Sequence, residues 1–333
     1  MVDAGRAGVN KVLGGIASSF GECHSSCMVP TQLTRRQSPI LSPGDTVSIV
    51  APCGPVPEDS FTAGCQILRN WGLKLDISSG IEDKTRYLAG TDENRLSRLR
   101  ASMGQAETQC VWMARGGYGA TRILEELFRD FPLNPPPLIG FSDGTALHAA
   151  YMREEYSSIH GPVITQLHRL SDTALDACHT FLFTNGDPPP FPEMIPLSGR
   201  THSEAGLSWG GNLALLCAMV GTPAHVDLRN KLLFIEDVGE STYRVDRMMQ
   251  QLLQTGELNH AKGLVLGDFT GRNDPEESWF DGFWQDFADH IECPIWKGLP
   301  VGHGPCNWMV PLGVLSKIVD NRWTMMAEGG RKE

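Results

Sequence analysis

Short β-branched apolar runs alternate with helical segments along most of this chain, and that alternation leaves few folds open to it. "DTVSIVAPCGPV" (residues 45 to 56) has the pattern of a buried strand closed by Pro and Gly. "SFTAGCQILRNWG" follows with Phe61, Cys65, Leu68 and Trp71 at helical spacing and Gly72 as a stop, and "LKLDIS" is again a strand. The rhythm continues through a helix over 92–103, the strand "CVWMARGG", a helix over 120–128, the strand "PLIGFS" and a helix over 145–156. Parallel strands need a long crossover between them, and a helix is the compact way to make one. The expectation is an α/β chain with a parallel, doubly wound sheet over 41–166, and loops at the strand C-termini carry the chemistry in such sheets.

Between Leu167 and Arg200 the pattern weakens, and "NGDPPPFPEMIPLSG" is dense in Pro and Gly, which predicts a linker over 167–200. Beyond it, "GLSWGGNLALLCAMVGTP" reads as a glycine turn opening a helix and "KLLFIEDV" as a strand. "STYRVDRMMQQLLQTGEL" sets Val245, Met248, Met249, Leu252 and Leu253 on one helical face, "AKGLVLGDF" is a further strand and "GLPVGHGP" a loop. A second domain is therefore expected over 201–328, in keeping with a length of 333 residues, which exceeds the size at which a single core usually stops growing. The front of the chain, 1–40, has almost no periodic apolar pattern and is expected to be a disordered extension. "VLGGIASSF", behind Arg6 and Lys11, is too short and too interrupted by glycine and serine for a signal peptide, so export is not expected.

A formal net charge of -11 opposes binding to phosphate backbones or anionic lipid, and no stretch has the length and apolarity of a membrane span. Neither nucleic acid nor membrane is an expected partner. Nine cysteines, an odd number with no C-x-x-C pair, read as buried thiols in a reducing compartment. Neither they nor the ten histidines, which lack an H-E-x-x-H, suggest a metal site.

The sharpest chemical signal is Gly140-Phe141-Ser142-Asp143-Gly144, a G-x-S-x-G between a strand and a helix. In a nucleophile elbow the glycines permit a sharp turn that lifts the hydroxyl clear of the backbone. An ordinary strand–helix turn with a capping serine shares the pattern. A serine hydroxyl attacks only if a base takes its proton and an acid orients that base. His303 in "VGHGP" is the base candidate, since flanking glycines let a loop bring its ring close to another backbone. Glu236, at the end of an apolar strand, is the acid candidate, with Asp237 and Glu240 in competition. "ARGGYGATR" offers a flexible glycine turn, Gly116, Gly117 and Gly119, whose backbone N–H groups could meet an oxyanion, and the Asp143 N–H would be the second donor.

Taken together, "ARGGYGATRIL", "GFSDGTALH", "HGPV", "WGGNLALLCAMVGTP", "LLFIEDVGESTYRVDRMMQQL", "GLVLGDF" and "GHGPCNWMVPLG" resemble the LD-carboxypeptidase family of serine peptidases. The resemblance implies a Rossmann-like N-terminal domain bearing Ser142 as nucleophile. It implies a smaller, β-rich α/β C-terminal domain bearing Glu236 as orienting acid and His303 as general base. It further implies Gly117 and Asp143 as oxyanion donors, Asn212 and Glu240 as substrate contacts, no cofactor, a cytoplasmic homodimer and a muropeptide substrate. The related microcin-immunity branch tends to carry lysine where this chain has Glu240, which suits an anionic ligand; a carboxylate suits a cationic amine. An α/β-hydrolase esterase and a non-catalytic binding module are the other expectations to set beside it.

Overall fold

The computed structural model describes residues 40–184 and 190–326. The extension expected over 1–40 lies, but for its last residue, outside that range, as do five residues of the expected linker. In the first lobe β1 (Thr46–Val50), α1 (Glu58–Asn70), β2 (Lys74–Ile77), α2 (Asp92–Met103), β3 (Thr108–Met113), α3 (Ala120–Arg129), β4 (Leu138–Gly140), α4 (Thr145–Arg153) and β5 (Ser158–His160) alternate strictly. The five strands are parallel in the order β2-β1-β3-β4-β5, so the winding reverses between β1 and β3, where such sheets open a crevice. Four of five β1 residues are buried, as expected of a strand covered on both faces.

The span expected to join the lobes carries α5 (Ile164–Leu167) and α6 (Asp172–Phe183). The Ser171 hydroxyl accepts the Ala174 N–H and starts α6, whose Cys178 and Leu182 enter the core beside α1. Interspersed Thr, Asp and His dilute the apolar stripe of this helix, and its cap and two deep contacts hold it instead.

The second lobe runs β6 (Ile195–Pro196), β7 (Gly206–Asn212), α7 (Leu213–Met219), β8 (Lys231–Val238), α8 (Thr242–Gln254), β9 (Gly263–Thr270), α9 (Ser278–His290) and β10 (Ile295–Lys297). After a loop come β11 (Val310–Leu312), β12 (Leu315–Val319) and β13 (Arg322–Met325). Its seven-stranded sheet has the order β13-β12-β7-β8-β9-β10-β6, with β7 to β10 parallel and antiparallel strands on either side. "GLSWGGN" is thus a strand beside β8, and the reading of its glycines as a turn is corrected. Gly210, at φ +150°, is needed because a Cβ there would lie 1.9 Å from the Phe234 carbonyl oxygen.

β11 leaves the second lobe and pairs antiparallel with β5, completing the six-stranded first sheet. The two lobes share one buried apolar cluster that runs from Met113, Phe141 and Leu147 into Leu213, Leu216 and Val245.

Candidate active site

β4 ends at Gly140, and Ser142 begins a single 3-10 turn that feeds α4. Ser142 has φ +59°, a left-handed conformation in which an L side chain is crowded. Neither Gly140 nor Gly144 has positive φ, so the strain the sequence assigned to the glycines sits on the serine itself. The glycines serve space: a Cβ would lie 2.3 Å from Met113 Sδ at Gly140 and 2.7 Å from it at Gly144. His148 braces the turn from α4. Its Nε2–H donates to the Gly140 carbonyl at 2.8 Å and its Nδ1 accepts from the Ser158 hydroxyl at 2.8 Å, because a carbonyl can only accept. Burial lowers its pKa to about 4, so it is a neutral strut.

The loop after β10 carries His303, whose Nε2 lies 3.1 Å from Ser142 Oγ, 161 residues away in sequence. Its Nδ1 lies 2.7 Å from Glu236 Oε2, a carboxylate buried completely in β8. The Phe141 ring packs on the imidazole with centroids 4.7 Å apart. A buried amide pair fixes this loop to the first lobe. Gln166 of α5 donates to the Gly302 carbonyl at 3.1 Å, Asn307 donates to Gln166 Oε1 at 2.9 Å, and Asn307 Oδ1 accepts the Gly302 N–H at 3.1 Å.

Of the three carboxylates near the end of β8, Glu236 is the one bonded to the imidazole. Asp237 accepts from the Asn212 amide at 3.0 Å, the Ala214 N–H at 2.9 Å and its neighbour's N–H at 2.8 Å, and its carboxyl is pushed up, chiefly by burial. Glu240 sits in the turn before α8, 3.4 Å from Arg244. Asn212 ends β7 and caps α7: its amide oxygen accepts the Leu215 N–H at 3.2 Å while its nitrogen donates to Asp237. Most of the Asn212 amide thus belongs to the fold, with one N–H outside that network.

"ARGGYGA" leaves β3 at the point where the sheet reverses. The Gly54 N–H donates to the Gly116 carbonyl at 3.0 Å. A trans peptide directs its C=O and N–H oppositely, so the Gly117 N–H is aimed away from Gly54. Gly117 itself has φ +102°. The buried Asp143 carboxylate accepts the Ala120 N–H at 2.8 Å, capping α3 where Gly119 has no side chain to do so. Buried Arg95 donates to the Gly119 carbonyl at 2.9 Å and also to that of Pro52. Burial pushes the Asp143 carboxyl up, and the Ala120 N–H opposes it. One side chain therefore ties the glycine loop to the elbow. Sequence reading used only the backbone of Asp143 and passed over His148, and the Gln166–Asn307 pair, 141 residues apart, gives no local signal.

Among the described residues, no group of three or more His, Cys, Asp or Glu side chains is arranged to hold a metal ion, and no helix is long and apolar enough to cross a membrane. A hydroxyl, an imidazole and a carboxylate bonded in series across two α/β lobes form an arrangement that can activate a hydroxyl for attack on a carbonyl, and it needs both lobes to be complete. The relatives supply the class: the chain belongs to the LD-carboxypeptidase family, whose members are carboxypeptidase hydrolases. The family's N-terminal domain matches residues 47–161 and its C-terminal domain residues 205–318. The murein tetrapeptide carboxypeptidase of Pseudomonas aeruginosa is 32% identical over 293 residues, covering 83% of this chain and 94% of that protein. A crystal structure of muramoyltetrapeptide carboxypeptidase from Oxalobacter formigenes is similar with a TM-score of 0.75 at 26% identity, over 84% of this chain and 97% of that one. The microcin C7 self-immunity protein of Escherichia coli is 23% identical over 328 residues, covering 85% of this chain and 93% of that protein.

Proposed function

We propose that this protein is a serine carboxypeptidase that hydrolyses the LD-peptide bond joining terminal D-alanine to the L-centre of diaminopimelate, or of lysine, in murein tetrapeptides. The observation that carries the reading is the bonded series Ser142, His303, Glu236 with the serine held at φ +59°. Ser142 Oγ attacks the scissile carbonyl as His303 Nε2 takes its proton, and Glu236 stabilises the imidazolium through Nδ1–H. The N–H groups of Gly117 and Asp143 receive the developing oxyanion; the orientation of the Gly116–Gly117 peptide supports Gly117 over Gly116. His303 returns the proton to the amine of departing D-alanine, and water attacks the acyl-enzyme by the same route in reverse. This route calls for no cofactor. Glu240 supports a cationic substrate group such as the second amine of diaminopimelate, which would compete with Arg244 for its carboxylate. The remaining Asn212 N–H suits a substrate carbonyl or carboxylate. The same reading makes the protein a cytoplasmic homodimer that acts in peptidoglycan recycling.

The test is incubation of the purified protein with a tetrapeptide muropeptide, followed by mass spectrometry. Loss of one D-alanine is the expected result. Cleavage of a glutamyl sulfamoyl nucleoside with the tetrapeptide untouched would replace this reading with the immunity-type one. Turnover of simple nitrophenyl esters alone would make the protein a general esterase.

Gly116→Ala probes the oxyanion side. The new Cβ would lie 3.1 Å from Ser142 Cβ and 3.3 Å from Oγ, tight enough to displace the serine by a few tenths of an ångström. Turnover should fall by about 10-fold or more with the melting temperature nearly unchanged, since reaction rates are steep functions of such displacements.

A further inference from the structure

β8 and β9 keep register from Leu232 opposite Gly263 to Ile235 opposite Leu266, and then Asp237 stands opposite Phe269. Glu236 alone therefore faces two residues of β9, Gly267 and Asp268. This is a β-bulge, a feature that re-aims side chains beside active sites. Gly267 fits the crowded side, where a Cβ would lie 2.7 Å from both Val301 Cγ2 and the Val301 carbonyl oxygen and 3.3 Å from Glu236 Cβ. Asp268 donates its N–H to that same carbonyl at 2.8 Å and lies against the loop that carries the imidazole. Its Cβ is 2.9 Å from where a Cβ on Gly302 would be, and its Oδ2 is 2.6 Å from where one on Gly304 would be. Both glycines that flank His303 thus leave room for one carboxylate.

We propose that Asp268 is a positioning residue of this site, a second carboxylate that acts through His303 by favouring the imidazolium formed when Ser142 gives up its proton. The inference rests on the proton-transfer role given to His303 above. Besides the Phe141 ring packed on it, the imidazole is bonded to Ser142 from the elbow and Glu236 from β8, and it feels the charge state of Asp268 from β9 and of His160 from β5, which burial keeps neutral. Burial, and then the charge of Glu236, pushes the Asp268 carboxyl up to about 6, while His303 pulls it down. The attraction acts on both partners, so an ionised Asp268 favours positive charge on the neighbouring ring. That support is present above about pH 6 and fades as the pH falls through this value.

The test is Asp268→Asn, which keeps the shape and removes the charge. The His303 imidazole is followed by NMR titration, its resonance assigned by its loss in His303→Gln. His303 should titrate lower by about one pH unit, the acid limb of kcat/KM should move the same way, and kcat should fall up to about 10-fold with KM unchanged. A folded variant whose His303 titrates as in the parent overturns the proposal, whatever its activity. Should Asp268→Asn fail to fold, Asp268→Ser makes the same charge change with a smaller side chain between Gly302 and Gly304. Because the titration needs no substrate, it separates this inference from the proposed function: a moved titration beside full turnover in Ser142→Ala would retain the coupling and discard the proton-transfer reading.

Discussion

Ser142→Ala should lower kcat for D-alanine release by on the order of 10⁶-fold, leaving only what the oxyanion donors and substrate binding supply. Its stability should barely change, because alanine inherits the same left-handed backbone. Ser142→Gly should be equally inactive yet more stable than Ser142→Ala by about 1 kcal/mol, since only glycine adopts φ +59° without crowding. The first effect is read by mass spectrometry of the released amino acid and the second by thermal unfolding of the two variants. Turnover within 10-fold of the parent in Ser142→Ala would remove the nucleophile from the mechanism. Equal stability of the two variants would remove the strain argument for the elbow.

Glu236→Gln should cost about 10⁴-fold in kcat with little change in KM. The carboxylate accepts from Nδ1–H at 2.7 Å and so keeps Nε2 free of hydrogen, ready for the serine proton. An amide that turns its N–H toward Nδ1 favours the opposite tautomer, with Nε2–H pointing at Ser142. Burial matters as well: Glu236 has no exposed surface, so water cannot stand in for the lost charge. A pH–rate profile for the residual activity, paired with the structure of the variant, checks this. Activity within 10-fold of the parent would mean that the imidazole does not need its carboxylate.

The parts of the molecule legible in the sequence are those whose cause is local. The alternation of "TVSIV", "TQCVWM" and their helices announced the parallel sheet, because β-branched runs and 3.6-residue spacing act within one segment. G-x-S-x-G marked the elbow for the same reason, although the purpose of its glycines, room for the Met113 sulfur, depends on a strand 27 residues upstream of Gly140. Spacing alone left Glu236, Asp237 and Glu240 open. Choosing among them requires knowing that Asp237 turns away to cap α7 while Glu236 meets a loop 67 residues further on. β7 was illegible because its glycines, required at 206 and 210 by the closeness of β8 and at 211 by the Thr145 side chain, erase the alternation that signals a strand. Asp268 stayed hidden because a bulge is a property of two strands and neither one records it.

The return of β11 to the first sheet bears on how the protein is made. β5 waits for a partner that begins 150 residues after its own last residue, His160 being paired with Val310. At 5–20 residues per second a ribosome leaves that margin bare for roughly 8 to 30 s, while the second lobe emerges. A nascent chain in this interval offers a template to any other extended segment nearby. Once seated, β11 brings Pro311, which has no N–H to donate, so the completed margin discourages the docking of a further strand.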